Sequence, residues 1–65
     1  MKLTINGEPR ELEAATLADA LAALDMAGAR VATAVNGGFV PTDARAATRL
    51  NPGDAVEILA PMQGG

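Results

Sequence analysis

The chain has 65 residues, with five Lys or Arg against eight Asp or Glu, no histidine and no cysteine. This length allows one domain near the lower limit for independent folding, since a chain of about 60 residues buries only about 60 % of its unfolded surface. The missing cysteines and histidines exclude disulfides, the common zinc sites, and thiol or imidazole catalysis. The net charge of −3 disfavours nucleic acid as a partner, because phosphate binding requires clustered basic residues.

Apolar residues make up 49 % of the chain, but many of them are alanines. We therefore expect a thin core built from the few Leu, Val, Ile and Met residues and from Phe39. The first residues alternate polar and apolar rather than forming an apolar run, so the sequence predicts neither a signal peptide nor a membrane span. We expect a cytoplasmic protein that does not bind membranes.

The N-terminal residues predict a β-hairpin. Period-two alternation covers Lys2–Asn6 and then Arg10–Ala14, with a break at Asn6-Gly7-Glu8-Pro9. As in an antiparallel sheet covered on one face, one set of side chains would face the core and the other would face water. The inward set is Leu3, Ile5, Leu12 and Ala14, and the outward set is Thr4, Glu11 and Glu13.

A helix signature follows the hairpin. Thr16 and Asp19 have the spacing of a capping box, and Leu17, Leu21 and Leu24, with Ala20 between them, form an apolar stripe. Gly28 is expected to end the helix, because glycine accepts the left-handed conformation of a C-terminal cap. The stripe is expected to pack on the hairpin.

Two further strands are predicted on either side of a glycine turn. Val31–Asn36 predicts a strand closed by Asn36-Gly37-Gly38, where positive φ costs little. Phe39-Val40 continues as a short extended piece that Pro41 ends.

A short turn then leads to the last strand. Asp43 is expected to cap a single turn through Ala47, and Leu50 to anchor it to the core. Asn51–Asp54 predicts a tight turn, and Ala55–Ala60 predicts an apolar strand in the centre of the sheet.

The order of these elements predicts an α+β fold of the β-grasp kind. It would have a mixed sheet of four to five strands with one main helix packed on one face. Residues 1–60 would form the domain, and residues 61–65 a flexible C-terminal Gly-Gly tail.

The tail, which begins after Ala60, is a candidate substrate. Glycine has no Cβ, so Gly64 and Gly65 can enter a slot too narrow for other residues and present an unshielded carbonyl carbon. Counted with Ala60, the six residues of the tail reach at most roughly 20 Å, enough to enter a partner's active site while the domain stays outside. The alternative is a frayed terminus without function.

Several segments of the chain resemble the ThiS family of sulfur carriers in thiamine biosynthesis, because they occur in the same order and at the same spacing as in that family. They are Met1–Gly7, Thr16–Asp19, Val35-Asn36, Val40-Pro41, Leu50, Gly53-Asp54, Val56–Ile58 and Gln63–Gly65. The resemblance covers the whole chain and implies a ubiquitin-like β-grasp fold.

The resemblance also implies a role for the tail. A ThiF-like adenylating partner would use ATP to convert the Gly65 carboxylate into an acyl-adenylate, with Gly64 as the slim residue behind it. Sulfur from a cysteine desulfurase or sulfurtransferase would replace AMP, and the thiocarboxylate would deliver it to a ThiG-like thiazole synthase. The carrier would bind no cofactor and would not be an enzyme. The residues agree, because a chain without His, Cys or a metal site cannot activate a carboxylate itself.

The residues that lead into the tail are candidates for partner docking. The apolar ones would contact a groove on the partner, and the two carboxylates would face its basic residues; ordinary core and solvated surface are the alternatives. The candidates are Asp54, Glu57, Leu59, Pro61, Met62 and Gln63.

Two residues depart from the family pattern. After Val-Pro the family usually has Arg, two further residues and Trp, whereas this chain has Thr42 and Arg45 at those positions. Neither belongs to the tail, so we expect a partner contact near them to differ while the tail chemistry stays.

Three alternative functions remain open. A MoaD-like subunit of molybdopterin synthase shares the fold, the Gly-Gly end and the thiocarboxylate, but such chains tend to be longer and richer in aromatics. A protein modifier would join Gly65 to lysines of other proteins. A β-grasp binding module would not need the tail at all. No long heptad or spare apolar stripe is left for self-association, so the free chain is expected to be a monomer.

Overall fold

The computed structural model describes residues 1–60. Strands β1 (Lys2–Ile5) and β2 (Glu8–Glu11) form the first hairpin, with Ile5 opposite Glu8. Asn6 and Gly7 form its turn, with φ of 50° and 85°, the left-handed values of a two-residue hairpin turn.

The bounds Arg10–Ala14 for the second strand were wrong, because the turn takes two residues instead of four and β2 therefore begins at Glu8. Leu12 still reaches the core, since its N–H donates to the carbonyl of Met1 at 3.0 Å just beyond the end of β2. Ala14 is half-buried against the same core.

The helix α1 (Leu17–Ala23) begins with the predicted capping box. The Asp19 N–H donates to Thr16 Oγ1 at 3.2 Å, and the Thr16 N–H donates to Asp19 Oδ2 at 3.2 Å. Leu17, Ala20 and Leu21 are buried, and Leu24 packs half-buried against the core.

The prediction that Gly28 ends this helix was wrong, because Asp25 takes the left-handed position with φ 62°. The Asp25 N–H donates to the Ala22 carbonyl at 3.0 Å, and the Met26 N–H donates to the Leu21 carbonyl at 2.7 Å. These two bonds form a Schellman motif. Aspartate tolerates the left-handed region better than most residues, so the helix can end before a glycine is reached.

The second hairpin repeats the geometry of the first. Strands β3 (Ala32–Val35) and β4 (Gly38–Val40) are antiparallel, and Asn36 and Gly37 turn between them with φ of 50° and 85°. A 3₁₀ helix follows at Thr42–Ala47, capped by Pro41 without a side-chain hydrogen bond. The predicted cap at Asp43 was therefore wrong, and Asp43 lies inside the first turn.

The last strand, β5 (Ala55–Leu59), lies at the centre of the sheet as predicted. The strand order is β2-β1-β5-β3-β4, with β5 parallel to β1 and antiparallel to β3. The tight turn before it is also confirmed, since Gly53 has φ 89° and the Asp54 N–H donates to the Asn51 carbonyl at 3.0 Å.

The core lies between α1 and one face of this mixed sheet, which confirms the predicted α+β class and β-grasp arrangement. Each layer contributes aliphatic side chains, and the loops add a few more. The buried apolar residues are Leu3, Ile5, Leu12, Leu17, Ala20, Leu21, Val40, Leu50, Val56 and Ile58.

Two asparagine side chains extend the pairing of β5 on both of its edges. On the β1 side, Asn6 accepts a hydrogen bond from the Ile58 N–H at 2.8 Å and donates to the Ile58 carbonyl at 3.0 Å. On the β3 side, Asn36 accepts from the Ala55 N–H at 2.9 Å. The Asn6 carboxamide matters most, because the ladder between β1 and β5 covers only two residue pairs.

Replacing Asn6 is expected to destabilise the fold. Asn6→Gly keeps the positive φ but removes both bonds to Ile58, and each backbone group left without a partner costs about 1–3 kcal/mol. We expect the free energy of unfolding in urea to fall by about 2–3 kcal/mol, of which the added glycine explains at most about 1 kcal/mol. Asn6→Ala is expected to lose roughly 1–2 kcal/mol more, because alanine is strained at this φ. A loss below about 1 kcal/mol for Asn6→Gly would contradict the role of the carboxamide.

Candidate functional site

β5 displays two kinds of side chain on its two faces. Val56 and Ile58 point into the core, while Ala55, Glu57 and Leu59 are exposed on the face that α1 does not cover. Leu59 is 66 % exposed. The predicted docking residue Leu59 is thus a surface residue and not part of the core.

Apolar side chains from three neighbouring strands meet on this open face, all of them exposed except the half-buried Ala34. Ala32 of β3 lies opposite Leu59, and Ala34 lies opposite both Glu57 of β5 and Phe39 of β4. Phe39 is 71 % exposed. Directly opposed residues share a face of the sheet, so Phe39, Leu59, Ala32 and Ala34 form one surface, called the apolar patch below.

The expectation that Phe39 belongs to the core was wrong. The two-residue turn at Asn36-Gly37 pairs Val35 with Gly38 and Thr33 with Val40, which places Val40 in the core and turns Phe39 outward. A one-residue change of register would reverse both side chains. The length of the turn was the signal in the sequence that could have found Phe39.

The two predicted acidic docking residues have different surroundings. Glu57 is exposed on the open face beside the apolar patch. Asp54 lies before the start of β5, and its carboxylate accepts hydrogen bonds from the Asn51 N–H at 2.8 Å and from Asn36 Nδ2 at 3.0 Å. These bonds hold the pKa of Asp54 below its ordinary value of 3.8. Asp54 therefore stabilises the turn before β5, and its docking role stays a prediction.

The other predicted site residues lie outside the described part of the chain. They are Pro61, Met62, Gln63, Gly64 and Gly65. β5 ends at Leu59, so a single residue, Ala60, separates the strand from this segment. The apolar patch and the start of the tail are consequently neighbours.

Residues 1–60 contain no group of three or more His, Cys, Asp or Glu able to hold a metal ion. Among the helices that the structure describes, none is long and apolar enough to cross a membrane.

A β-grasp domain with an open sheet face, an exposed apolar patch and a Gly-Gly segment that continues from its central strand defines a small ubiquitin-like domain. Comparison with known proteins narrows this class. The family model described as "ThiS family" matches residues 3–65. The chain belongs to the ThiS family.

Two solved structures are similar over the whole chain. A crystal structure of the thiamine biosynthesis protein ThiS from Geobacter metallireducens is 39 % identical, with a TM-score of 0.83 and full coverage of both chains. An NMR solution structure of a thiamine biosynthesis protein from the same organism is 39 % identical, with a TM-score of 0.78, over all of this chain and 88 % of the other. No curated protein matches the chain.

The hydrogen bonds to Asp54 predict a pH dependence of stability. Because the pKa of Asp54 is lowered in the folded state, its contribution is present above the pKa of the unfolded chain and is lost as the pH falls through the folded-state pKa. Urea unfolding is expected to show a stability difference between wild type and Asp54→Asn that is largest near neutral pH and shrinks below about pH 4.

The control for this prediction is Asp43→Asn, which changes an exposed aspartate on the 3₁₀ helix. Its stability is expected to follow that of wild type across the same pH range. A difference between wild type and Asp54→Asn that stays constant with pH would contradict the assignment.

Proposed function

We propose that this protein is a sulfur carrier of thiazole formation in thiamine biosynthesis, and that it is a substrate of its partners rather than an enzyme. Membership of the ThiS family supports the carrier role. The position of the tail is the structural observation that favours it most. The tail follows the central strand β5 after one residue. The reacting end is therefore attached to the strand that is hydrogen-bonded on both edges.

In this proposal the Gly65 carboxylate is the reacting group. Its oxygen attacks the α-phosphorus of ATP on a ThiF-like partner, which releases pyrophosphate and leaves a glycyl adenylate. The terminal sulfur of a persulfide on a cysteine desulfurase or sulfurtransferase then attacks the glycyl carbonyl carbon and displaces AMP, which leaves an acyl disulfide. A second thiol of the relay attacks the enzyme-side sulfur, so a disulfide forms on the relay and the Gly65 thiocarboxylate is released. A ThiG-like thiazole synthase takes up the sulfur. ATP belongs to the adenylating partner, and the carrier holds no cofactor of its own.

Residues 61–65 act as the tail of the domain formed by residues 1–60, and Gly64 lets the end pass through a narrow entrance of the partner. Pro61, Met62 and Gln63 would contact the partner's groove that leads to this entrance. The free carrier works as a cytoplasmic monomer and contacts neither nucleic acid nor membranes.

The apolar patch is the docking surface of the carrier in this proposal. Exposed aromatic and aliphatic side chains in one cluster are typical of protein contact sites. Phe39 and Leu59 would fill the partner's apolar pocket, while Glu57 beside them would face a basic residue. Asp54 would add a second charge at the far end of β5, roughly 17 Å from Leu59 at 3.3–3.4 Å per residue.

The carrier role is tested by the intact mass of the protein after incubation with its adenylating partner, ATP and a sulfur source. We expect the mass to increase by the difference between one sulfur atom and one oxygen atom, and we expect this change to be localised to Gly65. A variant without Gly64 and Gly65 is the control, since the buried core lies within residues 1–60 and only the reacting end is lost.

If the sulfur source carries an isotope label, transfer of the label from the thiocarboxylate then identifies the acceptor. Transfer to a thiazole synthase supports the proposal, and transfer only to the large subunit of a molybdopterin synthase supports the MoaD-like alternative. The adenylating enzyme is first shown to be active on another ThiS-family chain. If the mass of this protein then stays unchanged, the binding-module alternative is favoured.

The docking surface is tested by Phe39→Ala. Truncation of a central aromatic contact typically costs 2 kcal/mol or more, so we expect the KM for the carrier in ATP–pyrophosphate exchange to rise about 30-fold. The value of kcat is expected to stay unchanged, because Phe39 is not part of the reacting end.

The matched control is Pro9→Ala, which removes apolar surface at the opposite edge of the sheet, in β2. Its KM is expected to stay within about twofold of wild type, the range of contacts at the rim of an interface. If Phe39→Ala and Pro9→Ala raise the KM equally, the apolar patch is not the docking surface.

A further inference from the structure

A groove lies at the base of the tail, where β5 ends. It has a volume of about 850 Å³, and its walls come from the loop between α1 and β3, from the 3₁₀ helix, and from the end of β5. Leu59 and Ala60 line it, as do Thr42 and Arg45. The groove is therefore next to the apolar patch, which shares Leu59 and Ala32 with it.

Arg45 is held in the wall of this groove in a fixed orientation. The residue is 7 % exposed, its Nε–H donates to Thr33 Oγ1 at 3.1 Å, and its Nη2–H donates to the Val31 carbonyl. The Thr33 hydroxyl in turn donates to the Val40 carbonyl at 2.8 Å. A guanidinium bonded to Thr33 of β3 and to Val31 just before that strand is a built element of the groove and not a mobile surface side chain.

The guanidinium has more donors than the described residues use. It carries five N–H groups, and the two bonds above account for two of them. Among residues 1–60 the one ion pair joins the N-terminal ammonium to Glu11, so no described carboxylate pairs with Arg45. Arg30 also lines the groove, whereas no Asp or Glu does. The groove is thus locally positive on a chain of net charge −3.

A protein that takes up the tail has to cover this groove. The tail follows Ala60 directly, and both Ala60 and Leu59 are groove residues, so a partner that contacts them excludes water from the remaining N–H groups of Arg45. A charged donor cut off from water without an acceptor is strongly unfavourable. The acceptor that fits the planar guanidinium best is a carboxylate, which can take two parallel hydrogen bonds.

We propose that the groove beside the tail receives an acidic side chain of the adenylating partner, and that Arg45 is the residue that recognises it. The inference rests on the proposed carrier function and adds the chemistry of the partner's surface to it. The apolar patch would supply contact area, whereas Arg45 would select a partner with a carboxylate at the matching position.

The first test measures ATP–pyrophosphate exchange by the adenylating partner with Arg45→Met as the carrier. Loss of a buried hydrogen-bonded charge is expected to raise the KM for the carrier about 10- to 100-fold with kcat unchanged. The KM of wild type is expected to rise with salt concentration more steeply than that of the variant. Arg45→Lys keeps the charge but lacks the planar pair of donors, so its KM should lie between the two.

Arg49→Met is the matched control, because it makes the same change of side chain and charge at an exposed position beside Met1 and Glu13, away from the groove. Its KM is expected to stay within about twofold of wild type, as for an exposed charge outside the interface. Amide NMR spectra of both variants verify that the fold is intact. Where Arg45→Met folds poorly, Arg45→Gln replaces it, since glutamine keeps a hydrogen-bond donor but carries no charge.

The result separates this inference from the proposed function. If wild type is not adenylated at all, the carrier proposal fails. If wild type is adenylated and a folded Arg45→Met has the same KM as Arg49→Met, only the groove inference is overturned.

Two NMR observations on the free carrier would also overturn it. If the Arg45 Nε–H resonance shifts on addition of millimolar inorganic phosphate, the groove is a small-anion site. If it shifts on deletion of Gly64 and Gly65, the carrier's own tail occupies the groove.

Discussion

The pairing of β5 on both edges is the constraint on which the rest of this structure depends. A five-residue strand has to hold the core through Val56 and Ile58, present Glu57 and Leu59 on the open face, and position the tail. Its ladder to β1 covers only two residue pairs, which is short for a central strand. The carboxamides of Asn6 and Asn36 extend the pairing, so each hairpin turn also fixes the central strand.

The two Asn-Gly turns show which turns the sequence could predict and which it could not. Asn36-Gly37 was recognised as a turn because strand-like residues flank it. Asn6-Gly7 has the same φ values but was merged into a four-residue break, because Pro9 is disfavoured inside a strand. Pro9 is tolerated since β2 is an edge strand. The end of the helix was missed for a related reason: Asp25 takes the left-handed position that a sequence pattern assigns to glycine.

The alternation of polar and apolar residues along a strand was enough to predict part of the candidate site. The parts that depend on the register between two strands were not predicted. Alternation along β5 was enough to locate a central strand that leads into the tail, and Leu59 was proposed on that basis. Phe39 could not be placed by its type, because a lone aromatic in an alanine-rich chain is expected in the core. Its exposure follows from pairing across β3, a relation between strands. The surroundings of Asp54 depend on Asn36, eighteen residues away, which no local pattern contains.

Arg45 shows how a buried polar residue can be retained next to a reacting tail. An arginine at a site with 7 % exposure loses hydration, and a wholly apolar residue would avoid that cost. Thr33, 2 % exposed on β3, needs a hydrogen-bond partner for the same reason, and the two side chains satisfy part of each other's requirement. The remaining donors have no such use within residues 1–60, so stability alone does not account for an arginine here. Buried charges that lower stability but reject unsuitable partners are a recognised route to specificity. In the proposed complex the apolar patch would favour any partner with an apolar pocket, and the Arg45 guanidinium would penalise a partner that lacks an acceptor.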